Sequence, residues 1–246
     1  MKPLLVLLLT LVSAVAVEPE AKKFTPKDGP EVLYRYSAPA KLESGKKYPL
    51  VLFLHGAGER GNDNEAQLKH GVNAILQNTE KLGQPIFLIA PQCPKDARWE
   101  DANKRPTNPK DPRSLLDHIL SLVEETTKQQ AVDPKRIYIT GLSMGGFGTW
   151  SALAKEPDLF AAAIPICGGG SPDTVKEFKD VPIWIFHGDA DNVVAPAGSQ
   201  NMFDALKKAG SEAKLTLYPG VGHNSWTQTY SDIEVIRWFL AQQKSK

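Results

Sequence analysis

The sequence predicts an α/β fold, in which a mostly parallel central sheet carries helices on both faces. Short apolar runs of strand length alternate along the chain with longer segments whose apolar residues recur at helical spacing. Strands that are connected through helices lie parallel in one sheet. The chain has 246 residues with no internal repeat and no flexible linker, so residues 17–246 are expected to form a single domain.

The elements follow in chain order. Val32–Tyr36 is expected to add an antiparallel edge strand. A helix with apolar residues from Leu115 to Val123 is expected to start at Asp111 as N-cap, with Pro112 in its first turn. The other predicted strands are Leu50–Leu54, Ile86–Ala90, Ile137–Thr140, Ala161–Ile166, Ile183–Phe186 and Leu215–Tyr218. The other predicted helices lie near Glu65–Asn78, Gly146–Lys155, Ser199–Lys208 and Asp232–Gln242.

The amino terminus has the pattern of a cleavable secretory signal. Lys2 is followed by an apolar run from Leu4 to Val12 and then by the small-residue sequence Ala14–Ala16. As a helix, Leu4–Val17 would span about 21 Å, which is short of the roughly 30 Å hydrocarbon core of a bilayer. We therefore expect residues 1–16 to be a signal peptide, the mature protein to be secreted or periplasmic, and no stable membrane insertion.

Composition excludes several classes of partner and site. Lys and Arg total 29 against 28 for Asp and Glu, so there is no excess positive charge to bind nucleic acid. The two cysteines, Cys93 and Cys167, are too few for a disulfide-stapled small domain or a four-cysteine zinc site, and we expect both to be unpaired core thiols. The sequence has no H-E-x-x-H or C-x-x-C motif, so neither a metal nor a cofactor is expected.

A G-x-S-x-G pattern carries the first indication of chemistry. It spans Gly141–Gly145, directly after a predicted strand and before a predicted helix, with Ser143 at its centre. A serine on such a sharp turn protrudes above the sheet, and the flanking glycines allow the chain to fold back on itself. The alternative is a serine with a purely structural role in a turn.

This strand, turn and helix, with the predicted elements around them, resemble the α/β-hydrolase superfamily. The resemblance is to small secreted carboxylesterases, feruloyl esterases and dienelactone hydrolase-like proteins, a branch related to prolyl oligopeptidases. It implies an acid after the next-to-last strand and a histidine after the last strand, in the order Ser, Asp, His. His223 follows the last predicted strand through a glycine-containing turn and is the expected base. The superfamily's H-G-x-x-D pattern implies Asp191 as the acid, with Asp189 as the alternative.

The other histidines are weaker candidates for the base. His70 and His118 are placed on the polar faces of predicted helices, where solvent exposure is expected. His55 and His187 each end a strand before a glycine, which suits shaping a loop better than reaching a serine.

The resemblance also implies an oxyanion hole formed by the backbone N–H groups of Ala57 and Met144.

Gly56–Gly61 matches the dinucleotide-binding pattern G-x-G-x-x-G, with Glu80 downstream. However, Asn62–Asn64 delay the following helix, and Glu80 does not close a second strand. A dinucleotide site is therefore not expected.

Candidate substrate contacts are Trp99 and Trp226. Trp99 lies in Gln92–Arg113, a long polar segment that is either a substrate-facing insertion or a solvated connector. Trp226 follows the expected base and is as compatible with ordinary packing as with substrate contact. Trp150, Trp184 and Trp238 fall within regular elements and are expected in the core.

The resulting prediction is a serine esterase that forms an acyl-enzyme on Ser143. Its substrate would be a small-molecule or polysaccharide-linked ester, such as an acyl ester of a carbohydrate or a phenolic acid. The alternatives are a prolyl oligopeptidase-like serine peptidase and a noncatalytic binding protein on the same scaffold. The sequence gives no prediction of oligomeric state.

Overall fold

A computed structural model describes residues 18–27, 29–99 and 114–244 of the chain. The signal-peptide prediction for residues 1–16, and most of the predicted segment Gln92–Arg113, lie outside these residues.

The centre of the fold is an eight-stranded sheet with the strand order β1-β2-β4-β3-β5-β6-β7-β8. The two amino-terminal strands run antiparallel, and β3 to β8 are parallel to one another. The strands are β1 (Glu20–Phe24), β2 (Val32–Ser37), β3 (Tyr48–Leu54), β4 (Phe87–Pro91), β5 (Val132–Leu142), β6 (Ala162–Ile166), β7 (Trp184–Gly188) and β8 (Lys214–Tyr218). The predicted α/β fold is confirmed, and Val32–Tyr36 forms an antiparallel strand as predicted, but β1 and not β2 lies at the edge of the sheet.

Helices connect the parallel strands. They are α1 (Val72–Lys81), α2 (Leu115–Gln129), α3 (Met144–Lys155), α4 (Val175–Phe178), α5 (Ala197–Lys208), α6 (Trp226–Ser231) and α7 (Ile233–Ala241). Short 3₁₀ helices lie at Ala57–Glu59, Ala66–Leu68 and Pro172–Thr174.

The sheet is covered on both faces, and strand β3 shows why. Its side chains alternate between two cores, because successive residues of a strand point to opposite faces. Leu50, Leu52 and Leu54 pack into the core formed with α2 to α5. Val51 and Phe53 pack into the core formed with α1, α6 and α7. A strand that is buried on both faces reads as a continuous apolar run, as this one does.

The structure corrects the predicted start of helix α2. Its N-cap is Ser114, which exchanges hydrogen bonds with Asp117 in a capping box, rather than Asp111. His118 on this helix is only 1% exposed, so the prediction of a solvated side chain is wrong. A Cβ atom on Gly29 would overlap the His118 ring, which shows that the β1–β2 connection covers this face of the helix.

The predicted helix Glu65–Asn78 is interrupted. Gly71 has a φ of 79° and separates the 3₁₀ helix Ala66–Leu68 from α1. Its backbone passes so close to Phe53 and Tyr230 that a Cβ atom would lie 2.7 Å from each ring. His70 therefore precedes α1 instead of lying on it, and its side chain is 30% exposed.

Two further observations concern the cysteines and the helices. Cys93 and Cys167 are both buried and form no disulfide with each other. In residues 18–27, 29–99 and 114–244, none of the helices combines the length and the apolar character needed to cross a bilayer.

Candidate active site

The functional candidates meet where the parallel strands end. Ser143 follows β5, Asp191 lies in the loop after β7, and His223 lies in the loop after β8. Because β5 to β8 are adjacent and parallel, their carboxyl ends share one edge of the sheet. The fold therefore brings together residues that are far apart in sequence.

Ser143 lies on a sharp turn between β5 and α3. Its φ of 53° and ψ of −115° place it in a conformation that costs a non-glycine residue about 1–3 kcal/mol. Its N–H donates to Ile166 O at 2.9 Å, which fixes the turn against β6. Both flanking glycines are required, because a Cβ atom on Gly145 would overlap Leu54 O and one on Gly141 would overlap Gly145 O. The backbone geometry thus explains the G-x-S-x-G pattern.

His223 bridges the serine and the acid. Its Nε2 lies 3.0 Å from Ser143 Oγ, and its Nδ1 lies 2.7 Å from Asp191 Oδ2. Since the carboxylate can only accept, Nδ1 carries the proton and Nε2 is free to accept from the serine hydroxyl. The imidazole is therefore held in the tautomer that a general base requires.

The loops after β7 and β8 are joined tightly, which fixes His223 beside Asp191. A Cβ atom on Gly188 would overlap the Val221 and Gly222 carbonyl oxygens. Asp189 accepts a hydrogen bond from Gly220 N–H at 2.7 Å, and so its carboxylate holds the turn that precedes His223. The carboxylate that contacts the imidazole is that of Asp191.

The Asp191 carboxylate is buried and fully hydrogen-bonded. Its Oδ1 accepts from the N–H groups of Val193 at 2.8 Å and Val194 at 2.9 Å. Burial by itself would raise the pKa of the Asp191 carboxyl. The hydrogen bonds from His223 and from the two backbone amides outweigh that effect and hold this pKa below its usual value. Asp191 is therefore ionised at neutral pH.

The amides expected to form the oxyanion hole are available at the start of two helices. Ala57 is the first residue of the 3₁₀ helix Ala57–Glu59, and Met144 is the first residue of α3. N–H groups at the first positions of a helix have no partner within it. The close approach of Gly145 to Leu54 O brings the start of α3 against the end of β3, which leads into the Ala57 loop.

His55 anchors the Ala57 loop instead of acting as a base. Its Nδ1 lies 2.6 Å from Gly56 O, and its Nε2 accepts from Cys93 N–H at 2.9 Å. Burial lowers the pKa of His55 to about 4. The ring is therefore neutral at pH 7 and ties the loop after β3 to the segment after β4, as the loop-shaping interpretation predicts.

The two candidate substrate contacts differ in burial. Trp226 is half-buried, and its ring centroid lies 5.3 Å from that of His223 and 5.5 Å from that of His70. It lines a groove of about 220 Å³ together with residues such as Tyr230. Trp99 is only 1% exposed and donates from Nε1 to His55 O at 2.9 Å. The expectation that Trp99 contacts the substrate is therefore corrected, because this tryptophan packs in the core.

The sequence did not predict the contacts of two polar residues near the site. Glu59 is buried, and its carboxylate lies 3.7 Å from His70 Nε2. His187 is fully buried, and its Nε2 lies 3.1 Å from Asp191 Oδ2. The signal for His187 was its place in the H-G-x-x-D pattern, four residues before the acid.

Within the described residues, one group of side chains has the spacing of a metal site. Ligand atoms of Cys167, Asp191 and His223 all lie within 4.8 Å of one another. The Asp191–His223 hydrogen bond already occupies two of them, and burial raises the pKa of the Cys167 thiol to about 12. The arrangement therefore supports proton transfer between hydrogen-bonded groups.

Comparison with known proteins agrees with this geometry. Residues 92–235 match the model of the dienelactone hydrolase family. The chain is 28% identical to the Arabidopsis thaliana protein "Probable carboxylesterase SOBER1-like" over an alignment of 192 residues, which covers 71% of this chain and 72% of that protein. It is also 28% identical over 194 residues to an endo-1,4-beta-xylanase/feruloyl esterase of Xylanibacter ruminicola, covering 76% of this chain and 26% of that protein.

A solved structure is similar over most of the chain. The crystal structure of a thermostable esterase superposes with a TM-score of 0.85 and is 40% identical. The match covers 92% of this chain and 63% of the esterase chain, so this chain spans less than two thirds of that protein. The chain belongs to the dienelactone hydrolase family, and its carboxylesterase and esterase relatives support a carboxylic ester hydrolase.

Proposed function

We propose that the protein hydrolyses carboxylic esters through an acyl-enzyme on Ser143. The observation that carries this proposal is the continuous hydrogen-bonded path from Ser143 Oγ through His223 to Asp191, with distances of 3.0 Å and 2.7 Å. A serine hydroxyl is a weak nucleophile, and an adjacent neutral imidazole activates it by accepting its proton.

In the first half of the reaction, Ser143 Oγ attacks the ester carbonyl while its proton moves to His223 Nε2. The ionised Asp191 stabilises the imidazolium that forms. The Ala57 and Met144 amides donate to the carbonyl oxygen as it becomes negative. When the tetrahedral intermediate collapses, His223 gives the proton to the leaving alcohol and the acyl group remains on Ser143.

In the second half, His223 accepts a proton from water, which attacks the acyl carbonyl. The same two amides stabilise the second tetrahedral intermediate. Collapse releases the acid and returns the proton to Ser143 Oγ. No cofactor takes part in either half.

For the substrate, we propose an acyl ester of a carbohydrate or a phenolic acid, free or attached to a polysaccharide. Trp226 beside His223 offers an aromatic face at the edge of the reacting groups, and such rings stack on sugar and phenolic rings. The feruloyl esterase relative is consistent with this class. An exported enzyme, as the amino-terminal pattern predicts, would meet such esters outside the cytoplasm.

Labelling with a fluorophosphonate tests the proposed nucleophile. Mass spectrometry of the treated wild type should find the adduct on the peptide that contains Ser143, and Ser143→Ala should remain unlabelled. A noncatalytic binding protein predicts no adduct in the wild type, and that result would contradict the proposal.

A substrate panel tests the proposed reaction. Nitrophenyl esters, acetylated and feruloylated sugars and prolyl peptide amides should be compared on the same preparation. We expect the sugar esters to have the highest kcat/KM. A preference for the prolyl amides would support the peptidase alternative.

A further inference from the structure

A second histidine contacts the carboxylate that holds His223. His187, the fourth residue of β7, is fully buried, and its Nε2 lies 3.1 Å from Asp191 Oδ2. This is the oxygen that His223 Nδ1 contacts at 2.7 Å. His187 Nε2 also lies 3.0 Å from Val194 O, and Nδ1 on the other side of the ring lies 2.7 Å from Ser199 Oγ.

The partners of the His187 ring determine where its proton lies. Nε2 faces an ionised carboxylate and a backbone carbonyl, neither of which has a proton to donate. Nε2 must therefore carry the proton itself. Nδ1 faces the hydroxyl of Ser199, whose one hydrogen can go either to Nδ1 at 2.7 Å or to Gly168 O at 3.0 Å. Burial lowers the pKa of His187, which favours the neutral ring with its proton on Nε2.

With the proton of His187 on Nε2, each polar contact of the Asp191 carboxylate is a hydrogen bond that it accepts. Oδ1 accepts from the amides of Val193 and Val194, and Oδ2 accepts from both His223 and His187. The backbone amides hold one oxygen in place, and His187 restrains the oxygen that has to meet the base. A donor on Oδ2 also takes up part of the negative charge that would otherwise act on His223.

We propose that His187 is a positioning residue that orients Asp191 Oδ2 toward His223 and sets how strongly this carboxylate stabilises the protonated imidazole. This rests on the proposed function, in which Ser143, His223 and Asp191 perform ester hydrolysis. His187 touches none of the reacting atoms and acts through Asp191.

The environment of His187 is defined by four elements. Asp191 faces it from its own loop, His223 from the loop after β8, and Ser199 from α5. Ser199 Oγ also lies 3.0 Å from Gly168 O, in the loop after β6. Cys167 precedes this glycine, and its thiol is near Asp191 and His223.

Two amide substitutions separate the proposed role from simple packing. The side-chain nitrogen of Gln occupies the position of histidine Nε2, whereas that of Asn occupies the position of Nδ1. His187→Gln therefore retains a donor for Asp191, and His187→Asn loses it. We expect His187→Asn to lower kcat by about 10- to 100-fold with KM unchanged, which corresponds to loss of one charge-assisted hydrogen bond. His187→Gln should retain kcat within about 5-fold.

The pH profile gives a readout that packing would not change. Without the donor, the full charge of Asp191 acts on His223, so the base keeps its proton to higher pH. The acidic limb of kcat/KM should then move to higher pH in His187→Asn and stay in place in His187→Gln. Equal losses in the two variants, or an unmoved acidic limb in His187→Asn, would overturn the proposal.

The proton position can be measured in the wild type, so the test does not depend on whether the variants fold. Long-range ¹H–¹⁵N NMR of the histidine rings should show His187 neutral and protonated on Nε2. A ring protonated on Nδ1 alone would overturn the assignment. A wild type that hydrolyses no ester would instead overturn the proposed function, which the fluorophosphonate experiment detects separately.

Discussion

The loops after β7 and β8 hold their charged side chains in a different way from the β1–β2 hairpin. Asp191 is buried and accepts hydrogen bonds from two histidines and two backbone amides. In the hairpin, Lys23 and Glu31 form an ion pair at 3.0 Å with side chains that are 65% and 47% exposed. The buried carboxylate cannot move without losing several partners, whereas water can replace either member of the exposed pair. Burial and several hydrogen-bond donors therefore hold the Asp191 carboxylate in the one position where it can orient His223.

The largest expected effect is at the serine beside these loops. Ser143→Ala should lower kcat by about four to six orders of magnitude, because the triad acts as a unit. Initial-rate measurements on a nitrophenyl ester will check this. The far-ultraviolet circular dichroism spectrum should be unchanged, and activity that persists in a purified variant would contradict the assignment.

The two aspartates after β7 provide a matched comparison. Asp191→Asn should lower kcat by about 10³- to 10⁴-fold, because the amide no longer stabilises the imidazolium or fixes its tautomer. Asp189→Asn should change kcat by less than about 5-fold, since an amide oxygen can still accept from Gly220 N–H. If kcat fell further in Asp189→Asn than in Asp191→Asn, Asp189 would be the acid that supports His223 and this assignment would be wrong.

Backbone crowding at the serine turn predicts a large loss of stability. Gly145→Ala should lower the free energy of unfolding by about 3 kcal/mol or more, because its Cβ would overlap Leu54 O. Gly58→Ala is the control, since a Cβ there meets no atom within 4 Å. Urea unfolding will measure the stability of both variants. Equal unfolding midpoints for Gly145→Ala and Gly58→Ala would contradict the claim that the backbone is crowded at Gly145.

Buried His55 predicts a pH dependence of stability. Its pKa is about 4 in the folded chain and near 6.5 when unfolded. Between these values the unfolded state binds more protons, so the free energy of unfolding should fall as pH drops from 6.5 to 4, by about 2–3 kcal/mol from this residue. His55→Gln should have a shallower dependence in urea unfolding at several pH values. If the free energy of unfolding changed equally with pH in the wild type and in His55→Gln, His55 would not be a source of the pH dependence.

The smallest expected effect is in the hairpin. Lys23→Ala should change the free energy of unfolding by less than about 0.5 kcal/mol, because exposed ion pairs contribute little. The change should be smaller still in 0.5 M salt, where roughly 4–5 Å of screening length remains. A loss comparable to that of Gly145→Ala would remove the contrast between the two regions.

The sequence predicted those features that depend on local pattern and strand order. The two-sided burial of β3 follows from its apolar run, and Gly141 and Gly145 mark the sharp turn at Ser143. The positions of Asp191 and His223 follow from the resemblance, because each comes after a recognisable strand.

Features that depend on distant contacts were not predictable in this way. His118 is buried by the β1–β2 connection, and the break at Gly71 arises from the rings of Phe53 and Tyr230. Trp99 is a polar-loop residue in sequence, yet it packs on His55. The contact of His187 with Asp191 depends on the rotation of both side chains, which a pattern of residue types does not specify.

The most direct test of the central claim is to trap the acyl-enzyme. Wild-type protein mixed with an excess of a slowly turned-over nitrophenyl ester, quenched in acid within milliseconds to seconds and digested, should carry the acyl mass on the peptide with Ser143. The release of nitrophenol should show a burst equal to the enzyme concentration. Turnover without any acylated peptide, or acylation at another residue such as Cys167, would contradict the account.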